Sequence, residues 1–480
     1  MLFNQKWVGA LSLLTSLSAP ALADVAEFEE LPNANHIFNA IQSTLRHWGS
    51  GINSNGMSFF LASVSEGTQF YHGTGAKDPV QGIQWLAFKP EHSLGFAHRA
   101  GSRSFAKREA SVESSEQQPL GDTEEAIELN AGGYLHTYAA ARDLRLLYID
   151  GMSGGPGGGA ESQDRILYND TISSDRGSGS PNIGGPPQES QRAAEACRMA
   201  KEDWGGRIDG VVRTEGDFEI IICEFERSLD LVYITQTKPQ ESSGGPGRHG
   251  RGKGGKGGKG GNGAHGPPGG PRPIGDLKSF TARFDESLGQ KVRLDFDHFV
   301  TAYSYGLDLF PDNASRPELG HIPIEKLHPI RQDVTNLLKT WDPSLNAFNW
   351  QAIADMFVYQ YSDVLKTFAA GDFSSSKDLR DQIEKLLEPF IDYRDFEASD
   401  VIINRCATEW IPTSAPSNSL GGRAVRSISQ RVCSTLTSAM MNKDQDLETA
   451  VASFKDLISY LRWTTWYVSD SNNAVFTLDV

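Results

Sequence analysis

Three short runs in the first half of this 480-residue chain bring polar, potentially reactive side chains to the ends of apolar segments. The first, Gln69-Phe70-Tyr71-His72-Gly73-Thr74-Gly75, carries an imidazole into a stretch of small residues. The second, Trp85-Leu86-Ala87-Phe88-Lys89-Pro90, leads into Glu91-His92-Ser93-Leu94-Gly95-Phe96-Ala97, which reads as a helix opening on proline. The third, Asp217-Phe218-Glu219-Ile220-Ile221-Ile222, sets two carboxylates two residues apart and therefore on one face of a strand. Each has a plain alternative. His72 can cap a turn, a glutamate opening a strand is often solvated, and Glu215, Glu224 and Glu226 crowd the same region. Other chemistries find no support: there is no HExxH, no GxSxG elbow and no P-loop. His92 and His98, taken with Glu91 or Asp150, match no standard ligand spacing, so no metal is expected.

The elements that must position these residues follow from pattern. Strand-like runs fall at 68–72, 134–139, 145–149, 210–213, 218–225 and 231–235. A helix is predicted over 188–204, where Ala193, Ala196, Cys197, Ala200 and Trp204 recur at helical spacing after Pro186-Pro187 and before Gly205. The second half reads as helical at 323–338, 350–369, 377–390, 424–441 and 447–463, with Trp410, Trp463 and Trp466 as packing residues. Three Gly-rich stretches cannot build a core: 151–159, 173–187 and 241–273. The last contains Lys253-Gly254-Gly255-Lys256-Gly257-Gly258-Lys259 and reads as a flexible linker. The predicted organisation is α+β: a mixed α/β domain at 24–240, the linker at 241–273, and a mainly helical domain at 274–480. A net charge of −16 argues against nucleic acid or an anionic membrane as partner. The linker lacks the aromatics that would stack on bases.

The N-terminus points to a compartment. Lys6, an apolar run over 7–17 and Ser18-Ala19-Pro20-Ala21-Leu22-Ala23 form the three parts of a cleavable signal peptide at 1–23, so the mature chain is expected outside the cytosol. No later stretch is long and apolar enough to span a bilayer. Asn169-Asp170-Thr171 and Asn313-Ala314-Ser315 are glycosylation acceptors in such a location. Four cysteines suit an oxidising compartment. Proximity pairs Cys197 with Cys223 and Cys406 with Cys433, although the sequence alone allows three connectivities or four buried thiols.

The order of segments resembles the ADP-ribosyltransferase-like superfold: a YHGT-type strand, an F-x-P strand entering an "EHALxFA"-like helix, two central strands, and a DG(I/V) segment before a glutamate-bearing strand. Here these are His72-Gly73-Thr74, Phe88 with the helix from Pro90, the runs 134–139 and 145–149, Asp209-Gly210-Val211, and Glu219. The resemblance covers about a third of the chain. It implies split sheets and NAD as substrate. His72 would hold a ribose hydroxyl, Gly73 would admit the ligand to the backbone, and Thr74 and Phe88 would line the site. Asp217 would engage the acceptor, and Glu219 would stabilise an oxocarbenium-like transition state. The tyrosine that stacks on nicotinamide in many members is missing, with Trp85 and Phe88 in its region.

The chain also resembles large secreted fungal proteins of unassigned function. The residues that carry this are Trp48-Gly49, Asn53-Ser54-Asn55-Gly56-Met57-Ser58-Phe59-Phe60, the run 134–151, and Leu461-Arg462-Trp463-Thr464-Thr465-Trp466. That resemblance implies a cysteine-containing tail beyond the last motif, where this sequence stops at Val480. The functional expectation is a secreted monomer with ADP-ribosyltransferase or NAD glycohydrolase activity. Its alternative is a non-catalytic protein binding an extracellular protein or a cell-wall component.

Overall fold

The computed structural model describes residues 31–52, 56–102, 133–154, 160–172, 189–214, 217–238, 291–342, 347–394, 398–470 and 475–478. The signal segment and the 241–273 linker lie outside these.

Nine strands form one mixed sheet. They are β1 (Ser58–Val64), β2 (Gln69–Thr74), β3 (Gln84–Ala87), β4 (Tyr134–Ala140), β5 (Leu144–Ile149), β6 (Gly210–Thr214), β7 (Phe218–Ile222), β8 (Leu229–Gln236) and β9 (Arg293–Thr301), in the spatial order β8-β4-β2-β3-β7-β6-β5-β1-β9. Only β5 and β6 run parallel. A parallel pair needs a crossover, and here the connection carries helix α4 (Glu189–Glu202). Its Ala193 and Cys197 pack on Trp85 of β3 and Ile221 of β7. Cys197 is bridged to Cys223 at the end of β7, with Cα atoms 5.2 Å apart, as proximity predicts.

The split sheets implied by the resemblance are here a single sheet. Its narrowest junction is β2–β3, where the register holds one pair, Tyr71 with Ala87. Helix α3 (Pro90–Ser102) lies on the same side as α4, against β2. Gly73 makes that approach possible. A Cβ there would meet the Ser93 carbonyl oxygen at 1.8 Å and the Ala97 nitrogen at 2.9 Å.

The second half is mostly helical: α6 (His328–Thr340), α7 (Trp350–Ala370), α8 (Ser376–Leu387), α9 (Ser399–Thr408), α10 (Leu420–Met441) and α11 (Leu447–Leu461), following α1 (Ala34–Ser43), α2 (His47–Ile52) and the single turn α5 (Phe225–Ser228). Cys406 and Cys433 bridge α9 to α10. The two sides of the 241–273 segment share one sheet and one core. Strand β9 pairs with β1, and Phe60 stacks on Phe299 at 4.6 Å between ring centres. Asn35 and Asn39 of α1 donate to the Tyr460 and Leu461 carbonyls, at 2.7 and 2.8 Å. They thereby satisfy acceptors that the end of α11 would leave open. Trp463 and Trp466 are buried and stacked, 4.9 Å apart.

Candidate functional site

Strand register decides which of the singled-out residues meet. Ala87 pairs with Tyr71 on one side and Glu219 on the other, and Glu219 pairs onward with Arg213. Cross-strand partners share a face, so Tyr71, Ala87, Glu219 and Arg213 form one row under α3 and α4. His72 follows Tyr71 and points to the other face, because successive residues of a strand alternate. Its ring lies beside Phe225 and His136, at 6.0 and 6.2 Å. His72 and Glu219 therefore do not line one cleft.

Glu219 belongs to a buried ionic chain. Arg213 Nε donates to its Oε1 at 2.7 Å. The same guanidinium bonds to Glu189 at the start of α4. Glu189 accepts from Arg192 at 3.0 Å, and Arg192 makes a two-point contact with Asp164, both bonds 2.7 Å. Glu219 is 0% exposed, and Arg213 and Arg192 are each 1% exposed. Three carboxylates and two guanidiniums in sequence let each buried charge face an opposite one, the condition under which ions are tolerated in an interior. Sequence reasoning missed this chain. An arginine inside the apolar run Gly210-Val211-Val212-Arg213-Thr214 was the available signal, since such a residue must find a buried acid.

His72 Nδ1 donates to the Trp85 carbonyl oxygen at 2.8 Å, which leaves Nε2 as the unprotonated nitrogen. Burial pushes its pKa down to about 4. His136 Nε2 binds the Ala76 carbonyl at 3.0 Å, and Tyr138 accepts from the Val80 amide. Thr74 accepts from the Ala76 amide at 3.3 Å. Phe88 packs edge-on against Phe70 and Phe218 in the core. Asp217 accepts from the Phe218 amide at 2.8 Å, with Lys89 at 3.7 Å. The backbone of α3 lies directly against Gly73. Of these residues, His72 stands on one face of the sheet, and Gly73 and Glu219 stand on the other. Among the described residues no cluster of three His, Cys, Asp or Glu could hold a metal ion. Also among them, no helix is long and apolar enough to cross a membrane.

A second polar feature lies away from the sheet. An open groove of about 590 Å³ runs between the end of α4, the Asn169 turn and α6. Nothing in the sequence reading brought these segments together.

Fold and site together define a disulfide-bonded α+β protein whose central charges are sealed between sheet and helices. A family described as the YPL277C N-terminal domain matches residues 23–132 and 105–245. The chain is 30% identical over 239 residues to the uncharacterised protein YPL277C of Saccharomyces cerevisiae, covering 45% of this chain and 46% of that protein. It is likewise 30% identical over 238 residues to the uncharacterised protein YOR389W of the same yeast, covering 45% and 36%. The chain thus spans less than half the length of these curated relatives. No solved structure matches.

Proposed function

We propose that the chain is a secreted, disulfide-bonded protein that acts by binding an extracellular protein or a cell-wall component, and not by cleaving NAD at Glu219. One observation carries this: Glu219 is fully buried on one face of the sheet, tied to Arg213, while His72 projects from the other. A carboxylate that stabilises developing positive charge must reach the reacting sugar, and its electrostatic strength must not already be spent on a fixed guanidinium. The signal segment and the two bridges support an oxidising, extracytosolic location. The likeness to uncharacterised fungal proteins is compatible with this reading and names no activity.

The test is NAD consumption by the protein purified from culture medium, beside a Glu219→Gln variant whose folding is checked by circular dichroism. The expected result is no nicotinamide release from either. Release by the parent that disappears in a folded Glu219→Gln protein would restore the NAD glycohydrolase or ADP-ribosyltransferase reading, and would require the buried chain to open.

A further inference from the structure

Tyr168, Asn169, Asp170 and Thr171 make a tight turn. The Thr171 amide donates to the Tyr168 carbonyl at 3.0 Å, and both central residues are left-handed, with φ of 54° and 55°. Asn and Asp are the side-chain-bearing residues that tolerate this backbone best. The turn is also the triplet Asn169-Asp170-Thr171. Asn169 Oδ1 accepts from His328 Nε2 at 3.0 Å, which fixes the amide plane. Its Nδ2, the atom that would carry a sugar, makes no hydrogen bond among the described residues.

Asn169 stands at the wall of the 590 Å³ groove. Every side chain lining it is polar or charged. Glu202 and Asp203 face it from the end of α4, and Arg331, Gln332, Thr335 and Lys339 from α6. Arg198 holds Glu202 and Asp203, at 2.9 and 3.1 Å, while Arg331 and Lys339 line the α6 side. Hydrogen-bonding groups of polar side chains surround an open space that, among the described residues, no aliphatic residue and no Phe, Tyr or Trp lines. That is the chemistry of a neutral polyhydroxylated ligand, and the volume falls in the range of small-ligand sites.

We propose that Asn169 carries an N-linked oligosaccharide whose first sugars lie in this groove, joining α4 to α6 through hydrogen bonds. The inference rests on the secreted reading above. In the attachment, the Asn169 amide nitrogen bonds to the anomeric carbon of a lipid diphosphate-linked oligosaccharide. The sugar C–O bond to the diphosphate breaks, the lipid diphosphate leaves with that electron pair, and one amide proton passes to a base of the host transferase.

The experiment expresses the full chain, leader included, in a yeast host and compares medium with cell fractions. Glycopeptide mass spectrometry reads Asn169 directly, with Asn169→Gln as the unmodified control. An endoglycosidase that cuts between the first two sugars then acts on folded and on denatured protein. Occupied Asn169 with cleavage about tenfold slower on the folded protein, corresponding to ~1.4 kcal/mol of protection, is expected. The double variant Arg331→Ala, Gln332→Ala should keep occupancy and lose that difference. Protein in the medium with bare Asn169 overturns the inference and leaves secretion standing, and so does occupied Asn169 cut equally fast in both states, as far as the groove is concerned. Protein retained in cells with its leader intact and Asn169 bare overturns both readings.

Discussion

Arg213 of β6 and Glu219 of β7 are directly opposite one another in the ladder, with Nε and Oε1 2.7 Å apart, and neither side chain reaches solvent. The pair sits beneath α4, whose Glu189 takes the far side of the same guanidinium. Strand, helix and crossover are thus coupled through one buried cation. The carboxylate singled out by sequence resemblance is a structural counter-charge here.

That relationship predicts asymmetric mutational costs. Arg213→Met leaves Glu219 buried beside an apolar neighbour and removes one of the two cations that Glu189 faces. The expected loss is about 3–5 kcal/mol in urea unfolding. Glu219→Leu alone should cost a similar amount by stranding part of Arg213. The double variant Arg213→Met, Glu219→Leu removes both charges together and should recover at least half of the summed loss, a coupling visible in a double-mutant cycle. Strict additivity would show that the two charges do not act as a unit.

Gly73 and Gly95 make a matched pair beside and within α3. A Cβ on Gly73 would strike the Ser93 carbonyl at 1.8 Å, and backbone cannot swing aside as a flexible side chain can. Gly73→Ala should therefore destabilise by more than about 2 kcal/mol. Gly95 has nothing within 4 Å of its would-be Cβ and sits inside the helix. Gly95→Ala should stabilise by about 0.5–1 kcal/mol. Thermal melts of the two variants test both signs. A tolerated Gly73→Ala would mean that α3 is not seated on β2 as described.

Much of this architecture was readable from local pattern. The crossover helix over 188–204 showed its apolar stripe and its Gly205 stop, and the structure describes it over Glu189–Glu202. The bridges Cys197–Cys223 and Cys406–Cys433 followed from proximity in sequence. Strand β9 did not. Val292, Leu294, Phe296, His298 and Val300 alternate with charged and aromatic residues, a period of two that the helical texture around it hides. Pairing of β9 with β1 is a contact across more than two hundred residues, and no local signal encodes it. The site was legible as residue types and illegible as geometry. His72 and Glu219 are both real polar intrusions into apolar strands, but which face each takes depends on the single β2–β3 register pair.

The Cys197–Cys223 bridge closes a loop with a sequence separation of 26 residues between α4 and the end of β7. In the chain-entropy picture a loop of that length is worth roughly 3 kcal/mol, acquired by restricting the unfolded chain. Paired Cys197→Ala, Cys223→Ala replacement should lower the denaturant midpoint accordingly while leaving the far-ultraviolet circular dichroism of the native state intact. An unchanged midpoint would mean the bridge is not formed in the mature protein.

Asp150, at the end of β5, is buried and accepts from the Ser58 amide at 2.7 Å, and burial raises its pKa to about 7. An ordinary aspartate titrates near ~3.9, so the folded state holds this proton far longer than the unfolded one. Its contribution is fully present below about pH 4 and is lost as pH rises towards about 7, at up to ~1.4 kcal/mol per pH unit. His36 and His72 have the opposite sign. Burial, aided at His36 by Arg462, depresses both to about 4, so their contribution is present above the ordinary histidine value and is lost as pH falls through it. The groups oppose each other between about pH 4 and pH 6.5, but two histidines outweigh one aspartate, so the parent protein's stability should rise with pH there by about one proton's slope, ~1.4 kcal/mol per pH unit. Asp150→Asn keeps a carbonyl oxygen for the Ser58 amide and cannot titrate. Its stability measured against the parent should climb steadily from pH 4 to pH 7 and then level off, by a few kcal/mol in total on the order set by that slope. Urea unfolding at a series of pH values reads this difference directly. A difference that stays flat across the window would show that Asp150 is ionised in the native fold.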